Sequence, residues 1–361
     1  MPRPRDLGIV IGPLPAGPTN SLLDVDGVGV GHCTVWRDEP PAPPGRGVAR
    51  TGVTVVHPGG DPFENPIPFG AVSLNGAGEM TGYLTAQEWG FLESPIFLTS
   101  SMQVGRVYDA ACELAMELNP RIGVDDVMLP VVAECDDSFL SHSRSMQVEK
   151  DDVRAAWDAA TTSAGSDQPP AEGAVGSGTG MACLGFKGGI GTSSRVVPSG
   201  HTVGVLLMSN FGEFGRLTID GVGMAELLDP PGANGPDTKG SCIVVVGTDA
   251  PIDHAGCERL ARRAGLGLAR TGSTAHHGSG EIFMAFATGL RTTRAAAVSD
   301  TSVSGSGLDD FFAAVVDATE EAVLSSMFAA PTVIGRDGNT VHGLPVETVV
   351  ELLRQRGRLR L

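Results

Sequence analysis

Cations are scarce in this chain: 25 Lys and Arg stand against 42 Asp and Glu, leaving a formal charge of −17. Phosphate backbones are bound by clustered cations, so nucleic acid is not an expected partner. Cysteines are few and unpatterned. The six, at 33, 112, 135, 183, 242 and 257, show no C-x-x-C spacing and nothing like the density of a disulfide-stapled scaffold, so reduced, mostly buried thiols are expected. Long apolar runs are missing as well. Ile9–Ile11 is closed off by Gly12 and Pro13, too short for a signal-peptide core, and no later stretch has the length of a membrane helix. A cytoplasmic enzyme is the expectation. Metal and nucleotide motifs are absent too. There is no H-E-x-x-H, His276 and His277 are merely adjacent, and GxxxxGK[ST] does not occur, so no metal or cofactor is expected. G-x-S-x-G is present only in broken form at Gly176–Gly180, which rules out a nucleophile elbow.

Glycine and proline, by contrast, are abundant, with 50 and 25 copies spread between short apolar runs, as tight turns between many strands require. Val53–Val56, Ala71–Leu74, Ile96–Thr99, Val127–Val132, Val203–Met208, Ile243–Val246 and Ile282–Ala287 read as strands. Several are apolar throughout, the mark of strands buried on both faces. Apolar residues recur with helical period from Val104 to Leu118, and helices are also expected over Asp151–Ala160, Asp253–Ala264, Leu308–Met327 and Val346–Arg354, with Asp253 as an N-cap. Asp38–Gly47 and Ser163–Gly173 have loop composition. In the glycine-rich Gly173–Gly191 the residues are best explained by close backbone approach inside a packed fold. Asp229–Gly240 reads as a mobile, polar linker that ends against Ser241 and a β-rich run.

That junction carries the chemistry. A serine hydroxyl is a weak nucleophile until a base takes its proton, and no motif marks a histidine for the task. A serine at a new N-terminus brings its own base, because a free α-amine has an ordinary pKa of about 7.7–8.0 and is partly neutral near pH 7. Before cleavage that nitrogen is an amide and cannot serve. A Gly-Ser bond between a loop and a strand offers little side-chain hindrance to such a cut, although the pair is common and carries little weight alone.

Six segments add the missing specificity: Leu22–Trp36, Gly52–Gly60, Glu172–Val197, Val203–Gly212, Gly240–Pro251 and Arg259–Thr288. In order and content they resemble the DmpA-like family of autoprocessing L-aminopeptidase/D-amidase-esterases and β-peptidyl aminopeptidases. The resemblance implies a four-layer α/β/β/α sandwich of the N-terminal-nucleophile-hydrolase type, one domain over 1–361 cut into 1–240 and 241–361. By it Ser241 is the matured nucleophile, Gly240–Ser241 the cleavage site, Ser279 and Glu281 the supporting serine and acid, and Asn210 an oxyanion donor. Alternation along a strand would put 279 and 281 on one face. Glu134 matches an acidic position suited to a substrate ammonium group, and Phe139 stands where many relatives carry an active-site tyrosine. Small peptides, amides or esters with a free amine are the implied substrates, and a homotetramer the implied assembly. Acyl transfer of the ornithine acetyltransferase type is the alternative, against which a serine rather than a threonine at 241 speaks; an unprocessed, non-catalytic relative is the other.

Overall fold

The computed structural model describes residues 2–232, 240–294 and 302–360. Most of the linker expected over Asp229–Gly240 therefore lies outside the described residues, from 233 to 239. Two sheets form the middle of the molecule. One has four strands, Gly29–Asp38, Val48–His57, Ile96–Ser100 and Val131–Cys135, in that spatial order. The other has six, ordered Phe91–Leu92, Ile67–Gly76, Gly280–Ala287, Cys242–Thr248, Thr202–Ser209 and Gly189–Val196.

Side-chain alternation explains the layering. Along Cys242–Thr248, Ile243 and Val245 pack with Val56, Ile96, Leu98 and Ala133 of the four-stranded sheet. Their neighbours Val244 and Val246 pack on the opposite face with Leu260, Ala264, Val315 and Val323. Successive strand residues point to opposite faces, so a run of β-branched residues buried on both sides can only be a central strand. Helices His254–Thr271 and Asp309–Phe328 cover this sheet, while Val104–Leu118 and Lys150–Ser163 cover the other through Val53, Val55, Phe97 and Val132. The layers are α/β/β/α.

Most elements fall where the pattern puts them. The Asp253 carboxylate accepts from the Gly256 N–H at 2.8 Å and caps a helix that runs on to Thr271, well past Ala264. Substituting such a cap costs about 1 kcal/mol. The strand expected from Val127 begins only at Val131, because Val127 and Leu129 are exposed and Pro130 breaks the approach. Gly29–Asp38 and Gly189–Val196 carry no apolar alternation strong enough to mark them, yet both are strands. In the glycine-rich segment, a Cβ on Gly191 would lie 1.9 Å from the Ala322 carbonyl oxygen, so the covering helix can approach only a glycine there. All six cysteines are free. Among the described residues no helix is long and apolar enough to cross a membrane, and no group of His, Cys, Asp and Glu could hold a metal ion.

Candidate active site

Strand order brings the junction residues together. Cys242–Thr248 and Gly280–Ala287 run parallel with Cys242 opposite Glu281, so the two strands start side by side and Ser241 meets Gly280. The Ser241 Oγ accepts a hydrogen bond from the Gly280 N–H at 3.0 Å. On the other flank the antiparallel Thr202–Ser209 strand ends opposite Cys242, and the Asn210 N–H donates to the Ser241 carbonyl at 3.0 Å. Ser241 is thereby fixed from both neighbours and only 7% exposed.

Gly240 is gripped as closely. The Ser279 Oγ is within hydrogen-bond reach of both the Gly240 carbonyl oxygen and the Glu281 carboxyl, and its single proton serves one of them at a time. Ser279 lies one residue ahead of its strand, and its side chain nonetheless reaches that of Glu281. Burial pushes the Glu281 carboxyl pKa up, and the Ser279 hydrogen bond opposes that rise in part. A Cβ on Gly240 would come within 1.7 Å of the Asn210 carbonyl oxygen and 3.1 Å of its Nδ2. Gly240→Ala must therefore displace the junction backbone itself. It is expected to slow any cleavage at this bond at least tenfold, measured as loss of the full-length band with time on a denaturing gel.

Asn210 is held at both ends of its amide. Oδ1 accepts from the Ala182 N–H and Nδ2 donates to the Asp136 carbonyl, each at 2.9 Å. These two contacts settle which end of the amide is nitrogen, and they leave Nδ2 with one further proton to offer. Glu134, on the four-stranded sheet, sits across from Gly280: a Cβ on Gly78 would lie 3.1 Å from Glu134 Oε1 and 3.5 Å from Gly280 Cα. Oε1 accepts from the Glu79 N–H at 2.9 Å, and Oε2 accepts from the Ser101 hydroxyl. Burial raises the Glu134 pKa, with these two hydrogen bonds opposing it. A carboxylate has about four acceptor positions, so room remains for a cation.

Beside Glu79 and Gly78 opens a cavity of about 630 Å³, walled by Met80, Tyr83, Leu84, Tyr108, Leu129 and Ile282. Phe139 packs elsewhere, in a small apolar cluster with Leu140, Val333, Val341 and Ala182. Phe139 and Ala182, whose N–H bonds Asn210, thus pack on the same small cluster. The backbone donors and acceptors of Gly280, Ala182 and Asp136 were invisible in the sequence, since any residue supplies them. Lys187, fully buried in the glycine-rich segment, had a signal in being a lone cation among apolar and glycine residues.

Comparison with known proteins shows the family. The model of peptidase family S58 matches residues 20–341. The β-peptidyl aminopeptidase BapA of Sphingosinicella xenopeptidilytica is 38% identical over 376 residues, covering 98% of this chain and 92% of that protein. The solved L-aminopeptidase D-Ala-esterase/amidase of Ochrobactrum anthropi superposes with a TM-score of 0.90 at 36% identity, covering all of both chains, and is described as a prototype for the serine aminopeptidases and a variant of the Ntn hydrolase fold. A Burkholderia β-aminopeptidase superposes with a TM-score of 0.87 at 36% identity over 99% of each chain. A family model spanning most of the chain and relatives alike from end to end allow one conclusion: the chain belongs to peptidase family S58, as a hydrolase of the N-terminal-nucleophile serine aminopeptidase type.

Proposed function

We propose that the chain cuts itself between Gly240 and Ser241 and then removes N-terminal residues from small peptides, amides or esters through an acyl-enzyme on Ser241. The observation that carries this reading is the clustering of a nucleophile, a polarised carbonyl and an amide donor at one junction: Ser241 Oγ, the Gly240 carbonyl on Ser279, and Asn210. In self-cleavage Ser241 Oγ adds to the Gly240 carbonyl carbon, the C–N bond breaks, and the hydroxyl proton ends on the departing nitrogen. The shift leaves Ser241 with a free amine, and the resulting ester takes up water, giving a Gly240 carboxylate and restoring the Ser241 hydroxyl. Glu281 in its protonated form donates to Ser279 Oγ, and Ser279 gives its own proton to the charge that grows on the Gly240 oxygen.

The freed amine then acts as base. It takes the Oγ proton as Oγ attacks the substrate carbonyl, and Asn210 Nδ2 offers its spare proton to the oxyanion. The leaving amine departs with the Oγ proton, passed on from the Ser241 ammonium, and water then hydrolyses the acyl-enzyme to release the acid and restore the Ser241 hydroxyl. Glu134 holds the substrate ammonium through a charge-assisted pair. Intact-mass measurement tests the first half: two fragments are expected, the smaller beginning Ser-Cys-Ile-Val-Val. An N-acetylated peptide turned over as fast as its free-amine counterpart would overturn the second half. Assembly as a homotetramer belongs to the same proposal. Exposed Leu74, Leu84, Trp89 and Leu266 supply apolar surface for it, and light scattering gives the copy number.

Glu134→Gln separates binding from folding. Losing one partner of a desolvated charge pair costs about 2–5 kcal/mol, so kcat/KM for a free-amine peptide should fall on the order of 10²-fold. Stability should behave differently. A carboxyl whose pKa is raised by burial favours the folded state below its unfolded pKa and loses that contribution as pH rises through the raised value. At pH 7 the glutamine variant is free of that cost, and its melting temperature is expected to equal or exceed that of the parent. In the parent, kcat/KM should decline on acidification from above the ordinary glutamate range.

A further inference from the structure

The glycine-rich segment contains a cation that the reaction above does not use. Lys187 is completely buried, and its Nζ donates to three carbonyl oxygens: Gly178 at 3.0 Å, Met181 at 2.7 Å and Gly188 at 2.8 Å. Three acceptors match the three protons of an ammonium group, whereas a neutral amine has two and would leave one buried carbonyl without a donor. Among the described residues no carboxylate bonds this nitrogen, and its charge acts outward on peptide dipoles. Burial lowers its pKa to about 7, as expected for a cation taken out of water without an anion.

The Met181 contact leads to the candidate active site. Met181 C=O and Ala182 N–H are the two ends of one peptide group, planar and polarisable as a unit. The ammonium pulls on its oxygen, and its N–H donates to Asn210 Oδ1 at 2.9 Å. The Asn210 amide is a second such unit, with Oδ1 receiving and Nδ2 donating. The run ammonium, peptide 181–182, amide 210 thus has every donor pointing the same way, and hydrogen bonds in such chains strengthen one another in a low-dielectric interior.

We propose that Lys187 is a positioning residue for the oxyanion donor: it fixes the 181–182 peptide plane, thereby orients the Asn210 amide, and through both dipoles strengthens the Nδ2–H bond to the developing oxyanion. The proposal rests on Asn210 being that donor. Lys187 itself touches neither substrate nor Ser241, and its effect must pass through Asn210.

A double-mutant cycle on processed enzyme tests this, with Lys187→Met, Asn210→Ala and the pair, reading kcat and KM separately on one free-amine peptide. Lys187→Met removes the charge and all three donors at nearly constant length. Its expected result is a ten- to hundredfold fall in kcat with KM changed less than about threefold, since a donor to the oxyanion acts in the transition state. In the Asn210→Ala background the same substitution should cost less than about threefold, because residues acting as one unit are non-additive. A full loss that persists in that background overturns the proposal and makes Lys187 a structural residue. An unchanged kcat in Lys187→Met with a normal Asn210 overturns it as well. If Asn210→Ala alone keeps near-normal kcat, the donor assignment falls first, which separates the two failures. Should Lys187→Met not yield folded protein, Lys187→Gln retains uncharged donors and is expected to lose roughly three- to tenfold in kcat, with the same dependence on Asn210; its absence would equally refute the chain.

Discussion

Ser241→Ala is expected to remain one uncut chain of 361 residues with no measurable turnover. The substitution removes a single oxygen that accepts from Gly280 at 3.0 Å, so the fold should survive while both chemical roles vanish. Among the described residues the other hydroxyls of these strands are otherwise placed. Thr248, at the far end of the same strand, is fully buried, and Ser279 is engaged with Gly240 and Glu281. Without cleavage the nitrogen of residue 241 stays an amide, so the base is lost together with the nucleophile. The expected loss therefore reaches the assay floor instead of the partial defect seen when one helper is removed. Denaturing electrophoresis and intact mass check the first half, and a peptide assay checks the second. Cleavage at an unchanged rate in this variant would mean that an outside protease matures the chain.

Asn210→Ala is expected to lower kcat on the order of 10²–10³-fold, the usual cost of deleting an oxyanion donor, with little change in KM. The local consequences can be named. Ala182 N–H and the Asp136 carbonyl lose their partners, which costs about 1–3 kcal/mol of stability if water does not replace the amide. A lowered melting temperature thus accompanies the catalytic defect without explaining it, because destabilisation alone does not divide kcat from KM in this way. Asn210→Asp keeps an acceptor for Ala182 but puts a negative charge beside the developing oxyanion, and should do at least equal harm. Both variants need their processing verified, since self-cleavage passes through a comparable oxyanion at Gly240.

The central strands were legible because of a physical restriction. A run such as Ile243–Val246, apolar at every position, can be satisfied only between two apolar layers, and both layers are present. The helix at Val104–Leu118 was legible because its buried positions recur with helical period, whereas Asp309–Phe328 is buried on every side from Ala314 to Phe328 and shows no such stripe. Gly29–Asp38 and Gly189–Val196 were not. Their glycines and threonines are set by how near a helix or a neighbouring backbone must come, and that distance has no period along the chain.

What the sequence by itself determined is the chemistry available: a serine that can become an N-terminus, a glycine before it, and an amide and carboxylates of the right kind at 210, 134 and 281. Local composition and likeness to relatives suffice for this, because functional groups are properties of residue type. What only the tertiary structure decided is where these groups meet. The parallel pairing of Cys242 with Glu281 lines up two strand starts far apart in the chain, and the antiparallel partner brings Asn210 to their other side. The backbone groups of Gly280, Ala182 and Asp136, and the buried Lys187 behind them, gain their place from strand register and chain packing. Register is a relation between distant segments, and no single stretch of sequence contains it.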